Sequence, residues 1–303
     1  MGRELAKLYP VAQHTFDEAD EALGYKLSDV CWEGPEEKLK LTEITQPAIL
    51  TASVAAFRVL QEEGFVAGAV AGHSLGEYSA HVAAGTLAFE DAVRTVRNRG
   101  RYMQEAVPVG EGAMAAVLGM AADAVQQVCD EAIAAAGSGV CQPANVNSPE
   151  QIVISGSKAA VEKAAELAKH RGAKRAIMLP VSAPFHCALM QPAQDRLAND
   201  LKALTFHRVE VPVVTNVDAK LVSDPESARD ALIRQVTGTV RWVECMRVLI
   251  ERKAEAYIEV GPGKVLCGLM RQIDRAQTCF NVEDEASLQK LQNHFAQGTS
   301  KAE

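Results

Sequence analysis

Ser74 sits in Gly72-His73-Ser74-Leu75-Gly76, a G-x-S-x-G spacing. The pattern suits a serine carried on a sharp strand-to-helix turn, which lifts the hydroxyl clear of a sheet; flanking glycines let neighbouring backbone pass where side chains would collide. The Leu75 N–H would then stand at a helix N-terminus, placed to stabilise an oxyanion. The chemistry so equipped is acyl transfer or hydrolysis through a serine ester. A glycine-rich turn with a helix-capping serine gives the same five residues. A serine nucleophile needs a base, and the seven histidines are 14, 73, 81, 170, 186, 207 and 294. His73 adjoins the serine and should point elsewhere on a tight turn, and His81 falls one to two turns further along. His14 and His294 lie near the ends. His186, in Pro184-Phe185-His186-Cys187, is the best candidate, in a loop that re-enters the main body of the chain.

Several elements must position these residues. The apolar run 65–71 reads as a buried strand leading into the turn, and 77–84 as the helix that leaves it. Residues 46–63 carry Ile49, Leu50, Val54, Phe57, Val59 and Leu60 at helical spacing, with Pro47 near the start and Gly64 as a stop. Residues 1–24 are helical and polar, broken by Pro10. Residues 90–106 form a helix with a basic face of Arg94, Arg97, Arg99 and Arg101, among which spacing alone does not choose. From 113 to 181 the order is strand (113–119), helix (122–136), strand (140–147), strand (151–155), helix (158–171) and strand (174–181). This is the β-α-β-β-α-β unit of ferredoxin-like domains. The expected fold is α/β: a hydrolase-like large domain at 1–110 and 183–303, with a parallel sheet flanked by helices, and a small ferredoxin-like domain at 111–182. The large domain resumes with helices at 188–204, 227–235, 242–252 and 264–273, strands at 213–216 and 256–259, and a frayed tail from 297.

Composition excludes several other classes. The 303 residues hold 31 Lys+Arg against 39 Asp+Glu, a net charge of −8, which argues against nucleic-acid binding and against a polybasic membrane-surface protein. No run approaches the ~18–20 apolar residues of a spanning helix, and the N-terminus lacks the apolar core of a signal peptide. The seven cysteines include no C-x-x-C, so neither a zinc ribbon nor a disulfide scaffold is expected, and reduced thiols in a cytoplasmic protein are. Gly261-Pro262-Gly263 lacks the lysine and serine spacing of a phosphate loop and reads as a structural turn.

Six segments come in one order: Gln46-Pro47-Ala48, Gly72-His73-Ser74-Leu75-Gly76-Glu77, Arg99-Gly100-Arg101-Tyr102-Met103-Gln104, Asn147-Ser148-Pro149, Pro184-Phe185-His186-Cys187-Ala188-Leu189-Met190 and Glu259-Val260-Gly261-Pro262-Gly263. Together they resemble the malonyl-CoA:acyl carrier protein transacylases of bacterial fatty-acid synthesis, and the stand-alone enzyme more than a polyketide synthase domain. The resemblance runs over nearly the whole chain. It implies ping-pong transfer of malonyl from CoA to the phosphopantetheine thiol of acyl carrier protein. Ser74 would be the nucleophile and His186 the base, oriented by the main-chain carbonyl of Gln235, so that no acidic third member is needed. Arg99 would pair with the malonyl carboxylate, a role suited to the planar guanidinium fork. Gln46 would line the site, the Leu75 N–H would serve the oxyanion, and Phe185 would favour malonyl over branched acyl groups. No metal or redox cofactor is implied, since CoA enters as substrate. Acyl carrier protein is typically acidic and would call for a basic patch; Lys169, Arg171, Lys174, Arg175 and the 94–101 face are candidates.

Members of that family begin with a strand and a Pro-Gly-Gln-Gly-Ser-Gln loop carrying a second oxyanion donor, ahead of the helix that here starts near Met1. The expectation is therefore a start at an internal methionine. Two rivals are weighed against the transferase. A serine esterase would place an acid and then a late histidine after the serine and would lack the split insertion; a non-catalytic scaffold would rest on the absent loop.

Overall fold

The computed structural model describes residues 1–181 and 183–299; Ser182, at the expected domain boundary, and 300–303 in the tail lie outside them. The chain opens with α1 (Arg3–Leu8), α2 (Pro10–Leu23), α3 (Leu27–Glu33), α4 (Glu36–Leu39) and α5 (Thr42–Glu62). Pro10 is the first residue of α2, where its missing N–H leaves no hydrogen bond unmade. Helix α5 begins a turn earlier than the apolar spacing suggests, so Pro47 lies inside it. Packing explains the extra turn: a Cβ on Gly100 would stand 2.5 Å from Thr42 O and 2.8 Å from the Glu43 Cα, so that glycine lets a neighbouring helix clamp residues without apolar periodicity. Ala48, Ala52, Ala55 and Ala56 keep α5 slim enough to be buried nearly all round.

Next come β1 (Val70–Ala71), α6 (Gly76–Ala83) and α7 (Phe89–Glu105). The strand expected over 65–71 is only two residues long. Its partner sets that length, since the register pairs Val70 with Val213 and Ala71 with Val214, and Val66 is 93% exposed. Then follow β2 (Gly112–Leu118), α8 (Ala122–Ala136), β3 (Cys141–Ser148), β4 (Gln151–Ser157), α9 (Lys158–His170) and β5 (Arg175–Met178). These strands form an antiparallel sheet in the order β3-β4-β2-β5. Alternate residues such as Ala115, Val117, Ile152 and Ile154 share one apolar cluster with Val125, Val128, Val161 and Ala164 of α8 and α9. The β3 edge meets the rest of the molecule, because Val146 N–H donates to Val240 O (2.9 Å) and Val240 N–H to Ala144 O (2.8 Å).

A 3₁₀ turn (Ala188–Met190) leads into α10 (Gln191–Ala203), followed by β6 (Val213–Val214), β7 (Leu221–Val222), α11 (Pro225–Gln235), α12 (Trp242–Glu251), β8 (Tyr257–Val260), α13 (Val265–Ile273), β9 (Cys279–Val282) and α14 (Glu285–Thr299). Strand β1 runs parallel to β6, which pairs antiparallel with β7, and β8 runs parallel to β9. The pairing of Cys267 with Cys279 in a disulfide, Cα atoms 5.5 Å apart, corrects the expectation that all thiols are reduced. Sequence spacing held no sign of it, because α13 folding back beside β9 is what brings the two together. The five remaining cysteines are free and buried. Among the described residues no helix is long and apolar enough to cross a membrane.

Candidate active site

Strands β1 and β6 end side by side, and their carboxyl ends carry the turn to Ser74 and the residue Asn216, the usual place for a site in a parallel sheet. Ser74 has φ 51°, a left-handed conformation that a non-glycine residue adopts only when its surroundings hold it. Asn216 Oδ1 accepts from Ser74 N–H (2.7 Å), Asn216 Nδ2 donates to Gly72 O (2.7 Å), and Gln235 Nε2 donates to Ser74 O (2.9 Å). The two flanking glycines differ. A Cβ on Gly72 would lie 1.9 Å from the Gly76 carbonyl, whereas a Cβ on Gly76 meets nothing within 4 Å. Only Gly72 is there for lack of space, which corrects the expectation that both are. Gly72→Ala is therefore expected to cost about 4 kcal/mol or more, while Gly76→Ala shifts Tm by no more than a few degrees; thermal unfolding of the two variants checks the difference.

Around that turn four expected residues gather: His186, Gln235, Arg99 and, bonded to Arg99, Gln46. Ser74 Oγ is 2.7 Å from His186 Nε2, and His186 Nδ1 is 2.9 Å from the Gln235 main-chain oxygen. A carbonyl can only accept, so Nδ1 carries the proton and Nε2 is free to accept from the serine hydroxyl. Burial, aided by the nearby Arg99 charge, pushes the His186 pKa down to about 3, so the ring is neutral and in its base form at ordinary pH. Arg99, 2% exposed, donates from Nη2 to Ser74 Oγ (3.0 Å) and Gln235 Oε1 (3.0 Å) and from Nη1 to Gln46 Oε1 (2.9 Å). Its guanidinium also lies 5.6 Å from the centre of the Tyr78 ring. A buried cation whose partners near the nucleophile are neutral is a receptor for an anion.

The helix phase singles Arg99 out: with Ala92, Val96 and Met103 it is on the buried stripe of α7, while Arg94 and Arg101 face solvent and Arg97 lies over Tyr25. That stripe was available in the sequence as a signal. Leu75 is buried just before α6, and its N–H donates to no described group. Phe185 lines a cleft of about 630 Å³ with Lys40, Leu41, Thr42, Arg101 and Pro180. His73 Nε2 donates to Asn147 Oδ1 (2.7 Å), and its ring packs against Trp242. Of the basic residues considered for a partner surface, Arg171 pairs with Glu131 and Lys174 with Glu150. Two residues of the site escaped sequence reasoning. Asn216 ends the strand expected over 213–216, where a polar residue was a readable signal, and Glu77 stands in the quoted motif three positions after the serine.

The class this defines is that of the acyl transferases: residues 1–298 match the family described as "Acyl transferase domain". The malonyl CoA-acyl carrier protein transacylase of Escherichia coli (strain K12) is 51% identical over 286 residues, which cover 94% of this chain and 92% of that one. The corresponding protein of Bacillus subtilis (strain 168) is 49% identical over 289 residues, covering 95% of this chain and 90% of its own. Within this class the chain belongs to the malonyl CoA-acyl carrier protein transacylase family. An acyl carrier protein S-malonyltransferase from Vibrio cholerae O1 superposes with a TM-score of 0.93 at 48% identity, covering 96% of this chain and 94% of that one. A malonyl-transacylase solved in complex with a type II PKS acyl-carrier protein superposes with a TM-score of 0.91 at 46% identity, covering 95% of this chain and 93% of its own.

Proposed function

We propose that this chain moves malonyl from malonyl-CoA to the phosphopantetheine thiol of acyl carrier protein through an ester on Ser74. The observation that carries the reading is Arg99 Nη2 standing 3.0 Å from Ser74 Oγ. A fixed, buried guanidinium beside the nucleophile suits an acyl group that ends in its own carboxylate, and an ordinary esterase substrate has no use for it. The relatives named malonyl CoA-acyl carrier protein transacylase support the donor and acceptor.

In the first half-reaction His186 Nε2 takes the Ser74 proton as Oγ attacks the thioester carbonyl. The tetrahedral oxyanion, facing the Leu75 N–H, collapses; the C–S bond breaks and CoA leaves as the thiol, carrying the proton returned by the imidazolium. In the second, the carrier thiol gives its proton to His186 Nε2 and attacks the ester, and Ser74 recovers its hydroxyl. Gln235 O accepts from Nδ1–H throughout and stabilises the imidazolium. The scheme uses no metal or redox cofactor. It serves extender supply for fatty-acid synthesis, and its place is the cytoplasm.

The test is intact-protein mass after brief mixing with malonyl-CoA. One malonyl group per chain is expected, discharged by carrier protein bearing phosphopantetheine and retained with carrier protein lacking it. A chain that takes up no malonyl, or an adduct that the bearing form cannot discharge, overturns the reading.

A further inference from the structure

The scheme above leaves one wholly buried carboxyl unused. Glu77, on the first turn of α6, accepts with Oε2 from Gln235 Nε2 (2.8 Å) and from Asn216 N–H (2.9 Å). Both donors are already occupied with the site. Gln235 supplies the carbonyl for His186, the Oε1 for Arg99 and a hydrogen bond to Ser74 O; Asn216 holds the main chain at Gly72 and Ser74. The other carboxyl oxygen, Oε1, has no hydrogen-bond partner among the described residues and lies 4.0 Å from His81 Nε2.

The geometry points to Glu77 as a positioning residue: its ionised carboxylate braces Gln235 and Asn216, and through them sets His186, Arg99 and the Ser74 turn on one another. It never touches the acyl group. The inference deepens the transfer reading and rests on it only for the identity of the acyl donor. A carboxylate suits this place because one oxygen accepts two N–H bonds and its charge offsets the buried Arg99 cation.

The groups facing Glu77 are Arg99 from α7, Asp218 after β6, Cys245 from α12, and Tyr78 and His81 of its own helix. Burial dominates and pushes the Glu77 carboxyl up to about 7, against the hydrogen bonds from Asn216 and Gln235 and the Arg99 charge. The bracing charge is therefore present above about pH 7 and lost as pH falls through it. Burial holds His186 below its ordinary range as well, and a Glu77→Gln profile separates its titration from that of Glu77.

The experiment measures the acylation rate of Ser74 by malonyl-CoA, and separately its labelling by phenylmethylsulfonyl fluoride, from pH 5.5 to 9. The sulfonyl fluoride needs an activated serine and no malonyl carboxylate. A protein that takes the sulfonyl group but never malonyl overturns the donor assignment, while the labelling rates still test Glu77. Glu77→Ala is expected to slow both reactions by about 10²-fold, the scale of an ångström misplacement of catalytic groups. Glu77→Gln keeps an acceptor at the Oε2 position and should recover about tenfold of that loss, with the rise in rate near pH 7 abolished. A folded Glu77→Ala protein within about threefold of the parent overturns the inference, as does a Glu77→Gln profile with the rise near pH 7 unchanged. Should Glu77→Ala fail to fold, the Glu77→Gln profile decides.

Discussion

Ser74→Ala is expected to abolish the malonyl adduct and to lower transfer to the carrier protein by at least about 10⁴-fold, since removing the nucleophile of a serine enzyme removes the covalent route and leaves only binding and oxyanion stabilisation. The substitution suits the site because it deletes one atom and little else. Ser74 Oγ touches His186 Nε2 and the Arg99 guanidinium, while the turn is held by main-chain bonds from Asn216 and Gln235 that alanine leaves in place. The φ of 51° is as demanding for serine as for alanine, so the variant should fold with the parent's Tm. Single-turnover transfer and intact mass check the result together. Transfer within tenfold of the parent would mean that the thiols exchange malonyl without Ser74, and the ester scheme would be wrong.

Arg99→Ala is the second large effect, and its signature is selectivity. The guanidinium is buried, and a malonyl carboxylate entering without it would be an unpaired charge in a buried site, a loss of about 3–4 kcal/mol or 10²–10³-fold in kcat/KM. Acetyl-CoA has no carboxylate to strand, so its rate should change far less. The malonyl-to-acetyl preference is expected to collapse by about the same 10²–10³-fold, read by offering both donors at once and weighing the adducts. Arg99→Lys should not restore it, because a lysine cannot make the forked contacts to Gln46, Gln235 and a carboxylate together. A preference unchanged in Arg99→Ala would remove the arginine from the specificity argument.

Both variants rest on residues that could be named before any coordinates. G-x-S-x-G pointed to the serine, His186 was the best placed of the seven histidines, and the family resemblance assigned Arg99 and Gln235. The helices of the 122–171 stretch were readable to within a residue or two, since their apolar stripes repeat at the helical period and each packs on its own sheet. Other features were not readable. A strand takes its length from its partner, so an apolar run of seven residues yielded a two-residue β1. The disulfide needs Cys267 and Cys279 brought together by α13 and β9, and no local pattern encodes that.

By itself, then, the amino-acid sequence supplied the candidate nucleophile, base and cation, because a glycine-framed serine and the order of the motifs that carry the resemblance are written along the chain. Tertiary structure decided how they are held. Glu77 and Asn216 sit 139 positions apart and meet in one hydrogen bond, and Gln235 joins Arg99, Ser74 and His186 from a distant helix. Such contacts are unreadable along the chain for a physical reason: a buried carboxylate or guanidinium is tolerable only where several elements supply its partners at once, and that coincidence exists only in the folded state.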